Sequence, residues 1–99
     1  MTVYLVAQLA FTDVETDRRY QAKFIDVFRE FDGRLLAADK HPKVGEGHWG
    51  KDKIVIMWFP DEAACLRFSN SPEYQEISKD RRAGADTVSL IVRGIPAGA

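Results

Sequence analysis

The run Lys53-Ile54-Val55-Ile56-Met57-Trp58-Phe59 decides how this chain must fold. Its β-branched and aromatic side chains suit a strand, and Pro60 stops it. A strand with one wet face carries a polar residue at every second position, because successive side chains point to opposite sides of a sheet. Here Ile54, Ile56 and Trp58 share one side, and Val55, Met57 and Phe59 share the other. Both sides ask for burial. Thr2–Phe11 (TVYLVAQLAF) repeats the pattern, with Val3, Leu5, Ala7, Leu9 and Phe11 on one parity and Tyr4, Val6 and Ala10 on the other.

Between these strands lies helical periodicity. Tyr20, Phe24, Val27, Phe28 and Phe31 recur at the spacing of one helix face, which predicts a helix over about 17–32. Asp13 to Asp17 offer N-caps, and Gly33 suits a left-handed C′ position. Arg34–Asp39 reads as a second strand. Residues 40–53 hold Pro42, Gly45, Gly47 and Gly50 and read as loop, with Val44–Glu46 a candidate continuation of that strand after a bend. After Phe59, Asp61 starts a helix with Ala64, Cys65 and Phe68 on its apolar stripe. Ser71-Pro72-Glu73-Tyr74 starts another, with Ser at N-cap and Pro in the first turn. Tyr74, Ile77 and Arg81 share a face of it. Val88–Arg93 reads as the last strand, and Pro96–Ala99 as a frayed end.

The order strand, helix, strand, strand, helix, strand predicts an α+β, ferredoxin-like βαββαβ unit: a four-stranded antiparallel sheet with helices on one face. Residues 1–99 suffice for one such domain. Helices cover one face only, so apolar residues on the other face predict a homodimer packed sheet against sheet, a dimeric α/β-barrel. The competing expectation is a monomer in which the loop at 40–53 folds over the open face.

Composition narrows the partners. Fourteen Lys+Arg against fifteen Asp+Glu leave a net charge of -1, which makes no electrostatic case for nucleic acid or an anionic membrane. Cys65 is the only cysteine, so no internal disulfide can form, and a reducing cytoplasm is the expected compartment. The apolar opening MTVYLVAQLAF lacks a basic flank and is too short to span a bilayer.

Arg81 stands out, because a guanidinium on a core-facing stripe needs an anion or several acceptors. It either holds the carboxylate or enolate of a small ligand between helix and sheet, or caps the last helical turn and pairs with Asp39, Glu46 or Asp86. Tyr74 is a hydrogen-bond donor or general acid beside it, or a core residue with its hydroxyl at the rim. His41 is a candidate general base. His41, His48, Glu46 and Asp39 match no established metal-ligand spacing, and solvated loop histidines are the plainer reading. Trp49 and Phe24 are candidate walls for a planar ligand, with Trp49 at the pocket mouth, while Trp58 suits sheet core or interface. Cys65 has no activating base in view and reads as a small hydrophobe. No phosphate loop, nucleophile elbow or dinucleotide fingerprint is present, so no cofactor and no metal are expected.

Across nearly its whole length the chain resembles the family of domain of unknown function 1330, within the dimeric α/β-barrel superfamily. The resemblance is carried by SPEYQ at Ser71–Gln75 followed by Arg81, Ala83 and Ala85, and by GRLLA at Gly33–Ala37. Glu46, Gly47 and Trp49, the FPDEAA segment Phe59–Ala64 and Gly94 add to it. At Ala38-Asp39-Lys40 the chain departs from the arginine and glycines of many members. The resemblance implies a ferredoxin-like subunit and a dimer with facing sheets. It implies no reaction, since the superfamily holds small monooxygenases, isomerases, haem-handling enzymes and pure binding modules. Three readings follow. The first is a homodimer binding a small organic anion through Arg81, Tyr74, Trp49 and Phe24. The second is a cofactor-independent enzyme, of monooxygenase or isomerase type, acting on a small carboxylated or aromatic substrate. The third is a structural or regulatory dimer without ligand, its cleft filled by Phe24, Phe28 and Phe68.

Overall fold

A computed structural model describes residues 1–96. The expected loose end therefore lies, apart from Pro96, outside the described residues. The elements are β1 (Val3–Phe11), α1 (Val14–Phe28), β2 (Arg34–Asp39), β3 (Lys53–Phe59), α2 (Glu62–Ser69), α3 (Pro72–Gly84) and β4 (Ala85–Arg93). The strands form one sheet in the order β2-β3-β1-β4, with each neighbouring pair antiparallel. This is the α+β, ferredoxin-like arrangement that the strand and helix order predicts.

Register explains the doubled apolar pattern. Val3, Leu5 and Ala7 of β1 lie opposite Phe59, Met57 and Val55 of β3, and this parity faces the helices. Val3, Leu5, Met57 and Phe59 are all buried there. The other parity pairs Tyr4 with Trp58 and with Val92, and Val6 with Ile56 and with Leu90. That face has no helix over it. Val88, Leu90 and Val92 stand 44%, 47% and 43% exposed, although all three are aliphatic. Arg34 at the edge strand lays its guanidinium 4.8 Å from the centre of the Trp58 ring, a cation–π contact on this same face.

The core is an aromatic cluster. Phe68 of α2 and Phe59 of β3 have no exposed surface. Phe68 meets Phe28 edge-on at 5.3 Å and Phe59 at 5.7 Å, and Phe24 stacks on Phe28 at 5.2 Å. Tyr74 closes on Phe68 at 4.5 Å. Truncating one such buried ring costs about 3–5 kcal/mol, so this cluster holds the helices to the sheet.

Local differences from the sequence expectations have physical causes. Helix α1 starts one turn before 17, because Asp13 caps it: its side chain accepts from Thr16 N at 3.2 Å and from Thr16 Oγ1 at 2.8 Å. It ends at Phe28 rather than at 32. Residues 30 and 31 instead form tight turns, Glu30 N to Val27 O and Phe31 N to Phe28 O, which swing Phe31 onto Phe68 at 5.5 Å. Gly33 does not adopt the left-handed backbone of a C′ glycine. That region is occupied by Gly47 (φ 83°). Gly33 is needed for space, since a Cβ there would sit 2.7 Å from both Phe28 Cζ and Phe59 Cε1. Val44–Glu46 forms no strand. Strand β4 begins at Ala85, not Val88, because long β1 offers partners at once: Phe11 to Ala85, Ala10 to Asp86 and Leu9 to Thr87.

The loop at 40–52 is tied at its far end. Asp52 N donates to Leu9 O at 2.7 Å, Asp52 Oδ2 accepts from Phe11 N at 2.9 Å, and Trp49 Nε1 donates to Gln8 Oε1 at 3.0 Å. Gln8 lies on the parity away from the helices, so Trp49 covers one end of the open face. The rest, including Leu90 and Val92, stays exposed.

Candidate functional site

Between α1, α3 and the helix-side parity of the sheet lies a cavity of about 200 Å³. Its sheet wall is made by Leu5, Ala7, Leu9, Val55, Met57, Thr87 and Ser89. Helix α1 contributes Asp17, Tyr20, Gln21 and Phe24, which fall on one helical face, and α3 contributes Tyr74 and Arg81, two turns apart on the same face. Leu35 and Ala38, exposed on edge strand β2, form part of the rim. Apolar and polar residues line it in equal number, eight of each.

Three of those polar groups are buried without a partner. Asp17 Oδ1, Arg81 Nε and Thr87 Oγ1 make no hydrogen bond, and all three residues line this one cavity. Leaving a buried polar atom unpaired costs about 1–3 kcal/mol, and more for a charged group, so three in one place mark a site built for something else. Asp17 is the extreme case: it is 1% exposed, and its other oxygen accepts from Gln21 Nε2 at 2.6 Å. Among the described residues Arg81 forms no salt bridge, whether to Asp39, Glu46, Asp86 or Asp17.

Lys53 brings a second cation to the cavity. Burial pulls its pKa below the ordinary lysine value, and the charge of Asp17 works in the opposite direction. Tyr20 and Tyr74 hold their hydroxyls 3.2 Å apart. Burial, then the neighbouring Tyr74, pushes the pKa of Tyr20 far above the usual phenol range, so its hydroxyl keeps its proton.

The sequence candidates separate into two groups. Arg81, Tyr74 and Phe24 come together in the cavity. Trp49 and His41 do not. They border a different, shallower hollow with Phe11, Lys40, Val44 and Asp52, and Trp49 lies away from the mouth it was expected to cover. His48 is exposed, and among the described residues no three His, Cys, Asp or Glu side chains gather as a metal site. Cys65 is buried, and burial pushes its thiol above the ordinary value, which disfavours the reactive thiolate. Phe24, Phe28 and Phe68 fill the inner core, yet the cavity beside them remains open.

Asp17, Lys53 and Thr87 were not candidates from sequence. Asp17 sits in a stretch, Asp13 to Asp17, that reads as helix-capping. A signal was present: counting back three and seven residues from Tyr20 and Phe24 puts an acid on the core-facing stripe.

The family model of the Domain of unknown function (DUF1330) matches residues 2–95. No curated protein matches the sequence. Solved structures share the fold at low identity. A protein of unknown function from Rhodopseudomonas palustris, RPA0582, superposes with a TM-score of 0.80 at 17% identity, covering 96% of this chain and 83% of that one. SnoaB, a cofactor-independent oxygenase from Streptomyces nogalater, superposes with a TM-score of 0.71 at 13% identity, covering 98% and 96%. A dimeric ferredoxin-like protein of unknown function from Thermobifida fusca gives 0.68 at 11% identity, covering 95% and 92%.

Proposed function

Since the chain belongs to the DUF1330 family, which supplies no activity, we propose from its own geometry that it is a cytoplasmic homodimer that binds a small organic anion in the cavity between helices and sheet. One observation carries the reading. Arg81 Nε, Asp17 Oδ1 and Thr87 Oγ1 are buried and unpaired, and all three residues line one cavity. A ligand with a polar end would satisfy them, and its apolar body would cover Leu5, Leu9 and Met57. Arg81 is the anion-binding group, because a guanidinium forms charge-assisted bonds with a carboxylate. The homodimer rests on the aliphatic residues exposed on the open sheet face and on the dimeric state of the Thermobifida fusca protein.

The test is a thermal-shift screen of small carboxylic acids on the wild-type protein and on Arg81→Ala. Acids that stabilise the wild type should lose that effect in the variant. Stabilisation that survives unaltered removes Arg81 from the site.

One observation favours a second reading, a cofactor-independent enzyme. Asp17 places a buried carboxylate with a free oxygen in the same cavity as Arg81. That pair suits proton removal from a substrate whose developing anion Arg81 stabilises. In this arrangement Asp17, rather than His41, is the base. Turnover by the protein of an acid found in the screen, lost in Asp17→Asn with binding retained, would establish it.

A further inference from the structure

We infer that the anion taken by this cavity is a hydroxy acid: a monocarboxylate carrying a hydroxyl on the adjacent carbon and a compact apolar body. This rests on the anion-binding reading above and specifies its ligand. An anion alone leaves one feature unexplained. Asp17 is 1% exposed, and its free Oδ1 can only accept a hydrogen bond when ionised. A simple carboxylate presented to that oxygen would add repulsion and satisfy nothing. The ligand must therefore bring a donor as well as an acceptor to the cavity.

The lining sorts into matching groups. Arg81 and Lys53 donate to a carboxylate, Asp17 Oδ1 accepts from a hydroxyl, and Thr87 Oγ1 can do either. Charge decides between an amino and a hydroxy group. Arg81 and Lys53 set against Asp17 leave one formal positive charge. A hydroxy acid brings a single negative charge and neutralises it, whereas a zwitterionic amino acid leaves it standing in a desolvated space. Volume sets the body: a cavity of about 150 Å³ holds benzene, so about 200 Å³ suits a ring or branched chain with a small head group. Leu5, Leu9, Phe24 and Met57 provide the apolar wall for it.

Calorimetric titration of the intact protein with matched pairs tests this. The pairs are mandelate against phenylacetate and 2-hydroxyisocaproate against isocaproate, each differing by the one hydroxyl. The hydroxy member of at least one pair should bind about tenfold tighter or better, as expected for a hydrogen bond to a buried carboxylate. Asp17→Leu should bring that ratio to near one, and Asp17→Asn, which keeps the shape and fold of the site, should reduce it severalfold. Arg81→Gln should weaken both members alike and preserve the ratio. Equal affinity within both pairs overturns the hydroxy-acid assignment and leaves the anion reading standing. A ratio unchanged in both Asp17 variants also overturns it. No binding of any of the four acids at millimolar concentration overturns the assignment and the anion reading together.

Discussion

Gly84 and Asp17 meet backbone to backbone: a Cβ placed on Gly84 would lie 2.7 Å from Asp17 N and 3.2 Å from its Cα. Gly84 O also accepts from Thr12 N at 2.9 Å and Asp13 N at 3.0 Å. The end of α3, which carries Arg81, is thereby locked against the start of α1, which carries Asp17. This contact brings Asp17 and Arg81, two of the three charged residues of the cavity, to a common space.

Replacing Gly84 by Ala should wedge the helices apart, since the atoms it meets are backbone and cannot rotate away. A destabilisation of about 1–3 kcal/mol is expected, as for other overpacked contacts. Urea unfolding measures it. An unchanged midpoint would mean that the two helix ends are not held in close contact.

Without ligand, Arg81 is a cost. Its Nε is buried without a partner and it has no ion pair among the described residues. Arg81→Met keeps most of the stem and removes the charge, so the ligand-free protein should be as stable as the wild type or up to about 1–4 kcal/mol more so. A clear loss of stability in chemical denaturation would show that Arg81 is satisfied internally.

Leu90 lies opposite Val6 on the uncovered face, in edge strand β4, and is 47% exposed. Leu90→Glu should turn a dimer into monomers at micromolar concentration, because burying one unpaired carboxylate at the interface of each subunit opposes association. Sedimentation equilibrium distinguishes the states. A wild-type protein that sediments as a monomer would remove the facing-sheet dimer altogether.

Tyr20 gives the protein an alkaline limit. Its folded pKa is raised by burial above the ordinary value of 10.0, so its neutral form is favoured on folding. This contribution is complete below the unfolded pKa and is lost as pH rises beyond it, when the unfolded state releases the proton and the folded state retains it. Stability should fall by up to about 1.4 kcal/mol per pH unit above pH ~10. Tyr20→Phe should flatten that slope, at a cost near neutral pH of about 1 kcal/mol for the lost hydroxyl contact with Tyr74. Urea titrations of both proteins across the alkaline range provide the comparison.

Much of the architecture was legible because it rests on local periodicity. Arg34–Asp39 and Lys53–Phe59 occupy the expected residues, since a short apolar run ended by Pro or by a Gly-rich loop leaves little freedom. Tyr74 and Arg81 were legible as cavity residues because both fall on the stripe of Ile77. The errors arise where a distant segment supplies the partner. Ala85–Thr87 looks polar in isolation and becomes strand only because Leu9–Phe11 reaches that far. Gly33 looks like a helix terminator and is instead the space that Phe28 and Phe59 require. Trp49 reads as a pocket wall, yet its indole is drawn to Gln8 on the opposite side of the sheet.

The order of the amino acids, by itself, determined that a two-sided apolar sheet would form with helices enough for one side, because side-chain parity along a strand is set by the backbone. It also placed Arg81 on an inward helical stripe. Only the tertiary structure decided that Asp17, sixty-four residues away in a segment that reads as a cap, would line the same cavity as Arg81, and that the two would form no ion pair. Helix packing fixes those distances, through contacts such as that of Gly84 with Asp17, and periodicity carries no information about the gap left between two packed elements.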